Sequence, residues 1–288
     1  MAANQVSVGA AIRYAWSLLS ANFRAIWGVL ALNALASTVL IAGQLSRNDV
    51  MWAAAMPAVL MTTLMTYGAL YRLALADRHG DDPGFKPGHH GLQWGAMEWR
   101  MLAARLLVVV FIVFLALLAT LLIGSVLVGV LQARGFTPTP GMTSDQLMAA
   151  LGPAGRPLSL AVAAALLVLV TWLSLRLGLA LPASADEKAV RVLRTWKLTR
   201  GQVWPLFAAT ALVQLPVLFI GGYVVLNVLA MSGGPADAGP TAILIAALVL
   251  AVPAGLFVTP MQTGIFAHFY RTVAPASGRP PPAVKPRP

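Results

Sequence analysis

The sequence predicts an all-α fold: a polytopic membrane protein with six transmembrane helices in three hairpins, each hairpin preceded by a cytoplasmic interfacial amphipathic helix. Three observations lead there. Of 288 residues, 59% are hydrophobic and only 10% charged, with a mean hydropathy of +0.78. A soluble domain is about a quarter charged, so this chain has too few polar side chains to cover its apolar ones, and a bilayer is the solvent that removes the conflict. Six apolar runs reach the roughly 20 residues needed to cross a hydrocarbon layer about 30 Å thick. Finally, Lys and Arg alternate in abundance between successive connecting segments, the mark of an oriented multi-pass chain.

In chain order the runs lie near Ala25–Leu45, Met51–Ala76, Leu106–Leu131, Leu158–Leu181, Val203–Ala230 and Thr241–Tyr270. Asn33 and Gln44 dilute the first; the third, LLVVVFIVFLALLATLLIGSVLVGVL, is apolar throughout. Several exceed the minimum length, so tilting or protrusion is expected. In spans five and six, Pro216 with Gly221-Gly222, and Pro253 with Pro260, predict kinks, because each Pro removes a backbone donor. Residues 1–274 read as one integral membrane domain. The tail PASGRPPPAVKPRP, 275–288, reads as a disordered, basic, Pro-rich extension. The opening MAANQVSVGA has no basic n-region, so no cleavable signal is expected.

Orientation follows from the cations. Arg13 and Arg24; Arg78, Lys86 and Arg100; Lys188, Arg191, Arg194, Lys197 and Arg200; and Arg271, Arg279, Lys285 and Arg287 fall in one set of segments. The other set holds only Arg47, Arg134 and Arg156, with Arg72, Arg105 and Arg176 set aside at or within span edges. Fourteen cations against three predict that both termini are cytoplasmic. SRNDV, QARGFTPTPGMTSDQLMAALGPAGRP and MSGGPADAGP then close three outward hairpins. Each is led by a Trp-bearing cytoplasmic segment: Ser7–Arg24, Gln93–Arg105 and Ser184–Gly201. The first and third align at an offset of 180 residues, Trp16 on Trp196, Leu18 on Leu198, Asn22 on Gln202 and Ile26 on Leu206. The alternatives are a duplicated hairpin and a chance alignment of two apolar, Trp-bearing windows.

The chain carries a formal net charge of +11, and a Lys or Arg stands at every third position from Lys188 to Arg200 in ADEKAVRVLRTWKLTRGQVW, 185–204. Ser184-Ala-Asp-Glu187 has the form of a capping box, and Gly201 that of a helix stop. Between them Ala189, Val192, Leu193 and Trp196 fall on one arc at 100° per residue, with Lys188, Arg191, Arg194 and Lys197 opposite and Arg200 next to the stop. The expectation is an interfacial amphipathic helix, Trp196 and Trp16 towards the acyl boundary and the cations towards anionic phospholipid headgroups. The alternatives are a plain topology anchor, recognition of a particular headgroup or partner protein, and nucleic-acid binding. The last has only charge behind it, since no recognised binding motif accompanies the basic run.

RLGLALPASADEKAVRVLRTWKLTRGQVWPLF, with Arg176, Pro182, Glu187, the run Trp196-Lys197-Leu198-Thr199-Arg200-Gly201 and Trp204, resembles the signature region of a poorly characterised set of bacterial polytopic membrane proteins. The set includes the membrane domain fused to some glycerophosphodiester phosphodiesterases. Ser7–Trp27 is similar to the opening of the same proteins. The resemblance implies a membrane domain and no settled activity. Phosphodiester cleavage in the fused proteins belongs to a separate soluble domain and is not carried over.

Catalytic patterns are scarce. G-x-S-x-G, H-E-x-x-H, P-loop and G-x-G-x-x-G motifs do not occur, and with no cysteine there is no disulfide or thiol chemistry. Asp81, Asp82, His89 and His90 could meet around a divalent metal, yet their Gly/Pro-rich setting reads as a turn-rich loop. No cofactor, metal or nucleic acid is expected. All nine acids lie in loops or at span ends, whereas coupled transporters commonly keep a carboxylate inside the membrane. Arg176 is either an intramembrane site or a side chain snorkelling to the interface. Asn33, Thr62, Thr66, Tyr67, Gln214, Asn227, Gln262 and His268 either bond helices together or line a cavity. The leading expectation is a non-enzymatic membrane component acting through lipid or partner-protein contacts, homo-oligomerisation included. The alternatives are a small-solute transporter or channel with a polar path past Arg176, Gln214 and Gln262, and a lipid-modifying enzyme built on the cytoplasmic loop.

Overall fold

The computed structural model describes residues 6–274 apart from 81, 134, 137–138, 140–143 and 235–236; the expected Pro-rich tail and Asp81 lie outside the described residues. Among these no strand occurs. The helices are α1 (Val8–Leu45), α2 (Asp49–His79), α3 (Ala96–Ala133), α4 (Ser144–Leu151), α5 (Gly155–Leu177), α6 (Ala180–Asp186), α7 (Thr195–Leu198), α8 (Val203–Met231), α9 (Pro240–Pro253) and α10 (Thr259–Val273). Six helical stretches are long and apolar enough to cross a membrane: α1, α2, α3, α5 with α6, α8, and α9 with α10.

Local signals set the boundaries. Asn48 caps α2, its side chain accepting from the Met51 N–H at 2.9 Å, which serves one of the donors left over at a helix start. Pro253 ends α9 and is followed by one π-helical turn, Ala254–Val258, before Pro260 opens α10. The expected interruption of span six is therefore a wide turn in a continuous helical path. Pro216 sits inside α8 without breaking it.

At 38 residues, α1 is about 57 Å long if straight, nearly twice the hydrocarbon thickness. It is not straight. Built Cβ atoms on Gly255 and Gly264 would lie 3.0 Å and 2.7 Å from the Cα atoms of Ala34 and Ala15. Those glycines are about 14 Å apart along their helix, while Ala15 and Ala34 would stand about 28 Å apart on a straight one. The two contacts bridge that gap only if α1 bends between them. Ser17 and Ser20 bond back to the carbonyls of Tyr14 and Ser17, and Asn22 to that of Leu18, the pattern of side-chain competition that bends helices. The expected interfacial segment Ser7–Arg24 is thus the bent first half of a single helix. Gln93–Arg105 likewise runs from Ala96 straight into α3.

The main core joins α1, α2 and α10 through Ile26, Leu30, Leu70, Leu75, Ile265 and Phe269, all fully buried. Asn33 adds a polar tie, its Oδ1 accepting from Thr63 Oγ1 at 2.9 Å and lying 3.1 Å from Thr62 Oγ1. Towards one end Leu45, Leu229 and Ala238 pack together, so the turns after α1 and α8 are neighbours. α3 stands apart, with only 6% of its most apolar window buried.

The expected single helix over Ser184–Gly201 does not form. Pro182 falls in the first turn of α6, where its missing N–H costs nothing; the helix therefore starts earlier and ends where the capping box was to begin it. Ser184 Oγ instead accepts from the Arg191 N–H at 3.2 Å. Lys188 turns the chain with a left-handed φ of 53°, and only the single turn of α7 is helical beyond it. Of the positions aligned at the 180-residue offset, Ile26 and Leu206 are both fully buried inside spans. Ahead of the spans the two segments differ, one being helix and the other a folded loop.

Candidate functional site

Charged side chains from segments far apart in sequence converge at the end of the bundle opposite the Leu45–Leu229 contact. Arg72 and Glu98, 2% and 0% exposed, form a two-pronged pair at 2.6 and 2.9 Å. Arg72 Nε also donates to the Gly84 carbonyl, and Glu98 accepts from the Gly95 N–H, so both buried charges have their polar valences met. Asp186 is also buried. It accepts from Arg78 at 3.2 Å and from the Tyr270 hydroxyl at 2.9 Å, and lies 2.8 Å from His79 Nε2. Arg271 pairs with Asp77 and donates to the Tyr14 hydroxyl and the Ala74 carbonyl. Lys188 meets Asp82 at 2.5 Å; that ammonium, then the Gly84 N–H, holds the Asp82 carboxyl below the usual carboxylate range. Segments grouped by sequence as one positive set, represented by Tyr14, Arg78, Lys188 and Arg271, are thus joined in space.

The basic run is exposed at all five cations but not uniformly available. Glu187 takes Arg194 at 2.7 Å and Arg191 at 3.3 Å, and Asp82 takes Lys188. Lys197 and Arg200 have no acidic partner among the described residues. Val192 packs under the loop against Ala104, Val108 and Leu177, while Leu193, of the same expected arc, is 69% exposed. Trp196 stacks on the end of α5: the Arg176 guanidinium sits 5.2 Å from its ring and 5.3 Å from that of Trp172. Arg176 N–H donates to the Trp196 carbonyl at 3.3 Å, and Thr199 Oγ1 lies 3.2 Å from the Arg176 carbonyl. Arg176 is therefore held at the carbonyl end of α5, where a cation is favoured. It lines no cavity. Trp16, Trp27, Trp99 and Trp204 are each largely exposed.

Gln214 and Gln262 do meet, Gln262 donating its amide to Gln214 at 3.0 Å. They line a partly open cavity of about 670 Å³ bordered by α2, α3, α5, α6, α8 and α10, within the usual 300–1,000 Å³ of ligand pockets. Tyr67, one of the polar residues that could line a cavity, does so; sequence reasoning missed Tyr71 and Arg105 beside it. Arg105 had been set aside as a span-edge charge, and Tyr71 carries no periodic signal apart from its apolar neighbours.

The other sequence candidates are dispersed. His90 Nδ1 accepts from the Trp27 indole at 3.1 Å and Asp82 faces Lys188. Among the described residues no group of three or more His, Asp or Glu side chains could hold a metal ion. Compared with protein families, curated proteins and solved structures, the chain matches none.

Proposed function

We propose that this chain is a non-enzymatic bacterial inner-membrane protein, related to the proteins its Arg176–Trp204 region resembles, that acts through contacts with anionic lipid or a partner protein. In this reading both termini and the charged end of the bundle are cytoplasmic, the three hairpins point outward, and the bent half of α1 and the 188–200 loop lie at the interface. The observation that carries it is the pair of uncompensated cations, Lys197 and Arg200, between the exposed Trp196 and Trp204. Tryptophan rings favour the headgroup level, and each cation near an anionic surface contributes about 1 kcal/mol. The test uses the whole protein in mixed vesicles, reading energy transfer from tryptophan to labelled phosphatidylglycerol or phosphatidylcholine. Enrichment of the anionic lipid, reduced by Lys197→Gln with Arg200→Gln, is expected; equal transfer to both lipids overturns the lipid reading.

A small-solute transporter or channel is the second reading, favoured by the Gln214–Gln262 pair lining the cavity. Vesicles containing the protein should then show a solute flux that Gln214→Ala with Gln262→Ala abolishes. Unchanged flux removes that reading.

A further inference from the structure

We propose that the cavity between α2, α3, α5, α6, α8 and α10 is a binding site for one anionic phospholipid drawn sideways from the surrounding leaflet, with Arg105 receiving its phosphate. The inference deepens the lipid-contact reading and rests on it, but it uses none of the residues of the basic loop.

Arg105 carries the argument. It lies on α3 about 10 Å along the helix beyond Glu98, and it has neither a hydrogen bond nor an ion pair among the described residues. Arg105 is exposed at the near edge of the third apolar run and lines the cavity. The nearest acid on its helix, Glu98, is wholly taken by Arg72. A negatively charged ligand can therefore approach its guanidinium with no competing carboxylate from that helix. A guanidinium presents five N–H donors in a fork that fits a phosphate in two-pronged fashion.

Two more donors wait beside it. Tyr67 and Tyr71 line the same cavity, and Arg105 lies within electrostatic reach of both. Neither hydroxyl has a hydrogen-bond partner among the described residues, although Tyr71 is only 1% exposed. A phosphate oxygen in the cavity they line could accept from either hydroxyl. The rest of the lining says what else the ligand carries. Val108 and Ile112 lie on the α3 side, and Leu167, Leu215 and Leu218 are exposed at the rim, so the cavity communicates with the acyl region through apolar side chains. A hydrated solute gains nothing from that wall. A lipid gains on both counts, its chain against the leucines and its head against Arg105.

Native mass spectrometry of the whole protein, released from mild detergent in equal phosphatidylglycerol and phosphatidylcholine, tests the site. One retained phosphatidylglycerol is expected, bound about tenfold or more weaker in Arg105→Gln, the factor for losing one charge-assisted contact. Arg105→Lys should be intermediate, since it keeps the charge and loses the fork. Ser174→Trp, which fills the cavity and leaves Arg105 in the sequence, should expel the lipid; it also serves if Arg105→Gln fails to fold, as judged by its unfolding temperature. Lys197→Gln with Arg200→Gln should leave this single adduct in place. If that pair abolishes it while Arg105→Gln does not, surface charge alone binds lipid and the cavity site is wrong. Equal retention of the two lipids, or full retention by both Arg105→Gln and Ser174→Trp, also overturns it.

Discussion

At the scale of single residues, the Arg72–Glu98 pair is the clearest point of commitment. Truncating one partner strands the other, buried, without its counter-charge. Glu98→Ala should therefore lower stability by about 3–5 kcal/mol, read as a large drop in unfolding temperature in detergent. Arg72→Met combined with Glu98→Leu should recover much of that loss, because an apolar pair of similar volume removes the stranded charge. A double variant no better than Glu98→Ala would show that packing against Gly84 and Gly95, not charge, is what matters there. Neither partner was legible as half of a pair. Arg72 sits at the inner edge of an apolar run and Glu98 in the next segment, and nothing in the intervening Gly/Pro-rich loop reveals that it folds back. Asp186 was misread for a related reason. Ser-x-x-Glu looks the same whether it opens a helix or lies at the close of one, and the partners that decide, Arg78 and Tyr270, are 108 and 84 residues away.

At the scale of elements, the closeness of α1 and α10 depends on the absence of a side chain. A Cβ at Gly264 would stand 2.7 Å from the Ala15 backbone, so Gly264→Ala should push the bent half of α1 off α10, at a cost of about 1–3 kcal/mol. Gly222 is the control: it lies in α8 with nothing within 4 Å of a built Cβ. Gly222→Ala should stabilise by about 0.5–1 kcal/mol, because alanine loses less backbone freedom in a helix. Thermal unfolding of the two variants should move in opposite directions, and destabilisation by both would remove the proposed contact. The six long helices were legible because twenty apolar residues in succession need no partner to declare themselves. The bend was not: Ser17, Ser20 and Asn22 read as part of an amphipathic face, and only contact with Gly255 and Gly264 shows that the helix turns there. The Gln214–Gln262 pair was legible as two polar residues in adjacent apolar runs. The cavity they line was not, because it draws on six helices whose order around it no periodicity encodes.

At the scale of the whole molecule, the chain's lack of cysteine gives a clean background for orientation. Single cysteines at Ser46 and Ser232, in the turns after α1 and α8, should react with a membrane-impermeant maleimide added to intact cells. Lys197→Cys should react only after the membrane is opened. The reverse pattern would invert the proposed topology. The charged end also sets a schedule. Arg271 bonds to Tyr14 across 257 residues, and at about 5–20 residues per second of synthesis the first helix waits tens of seconds for the last. Until then Tyr14, Asp77 and, once made, Asp186 lack the partners that will close over them. The newborn protein therefore spends most of its manufacture with an open latch, distinguishable by any quality-control factor that inspects half-made membrane proteins, and only the final helix can shut it.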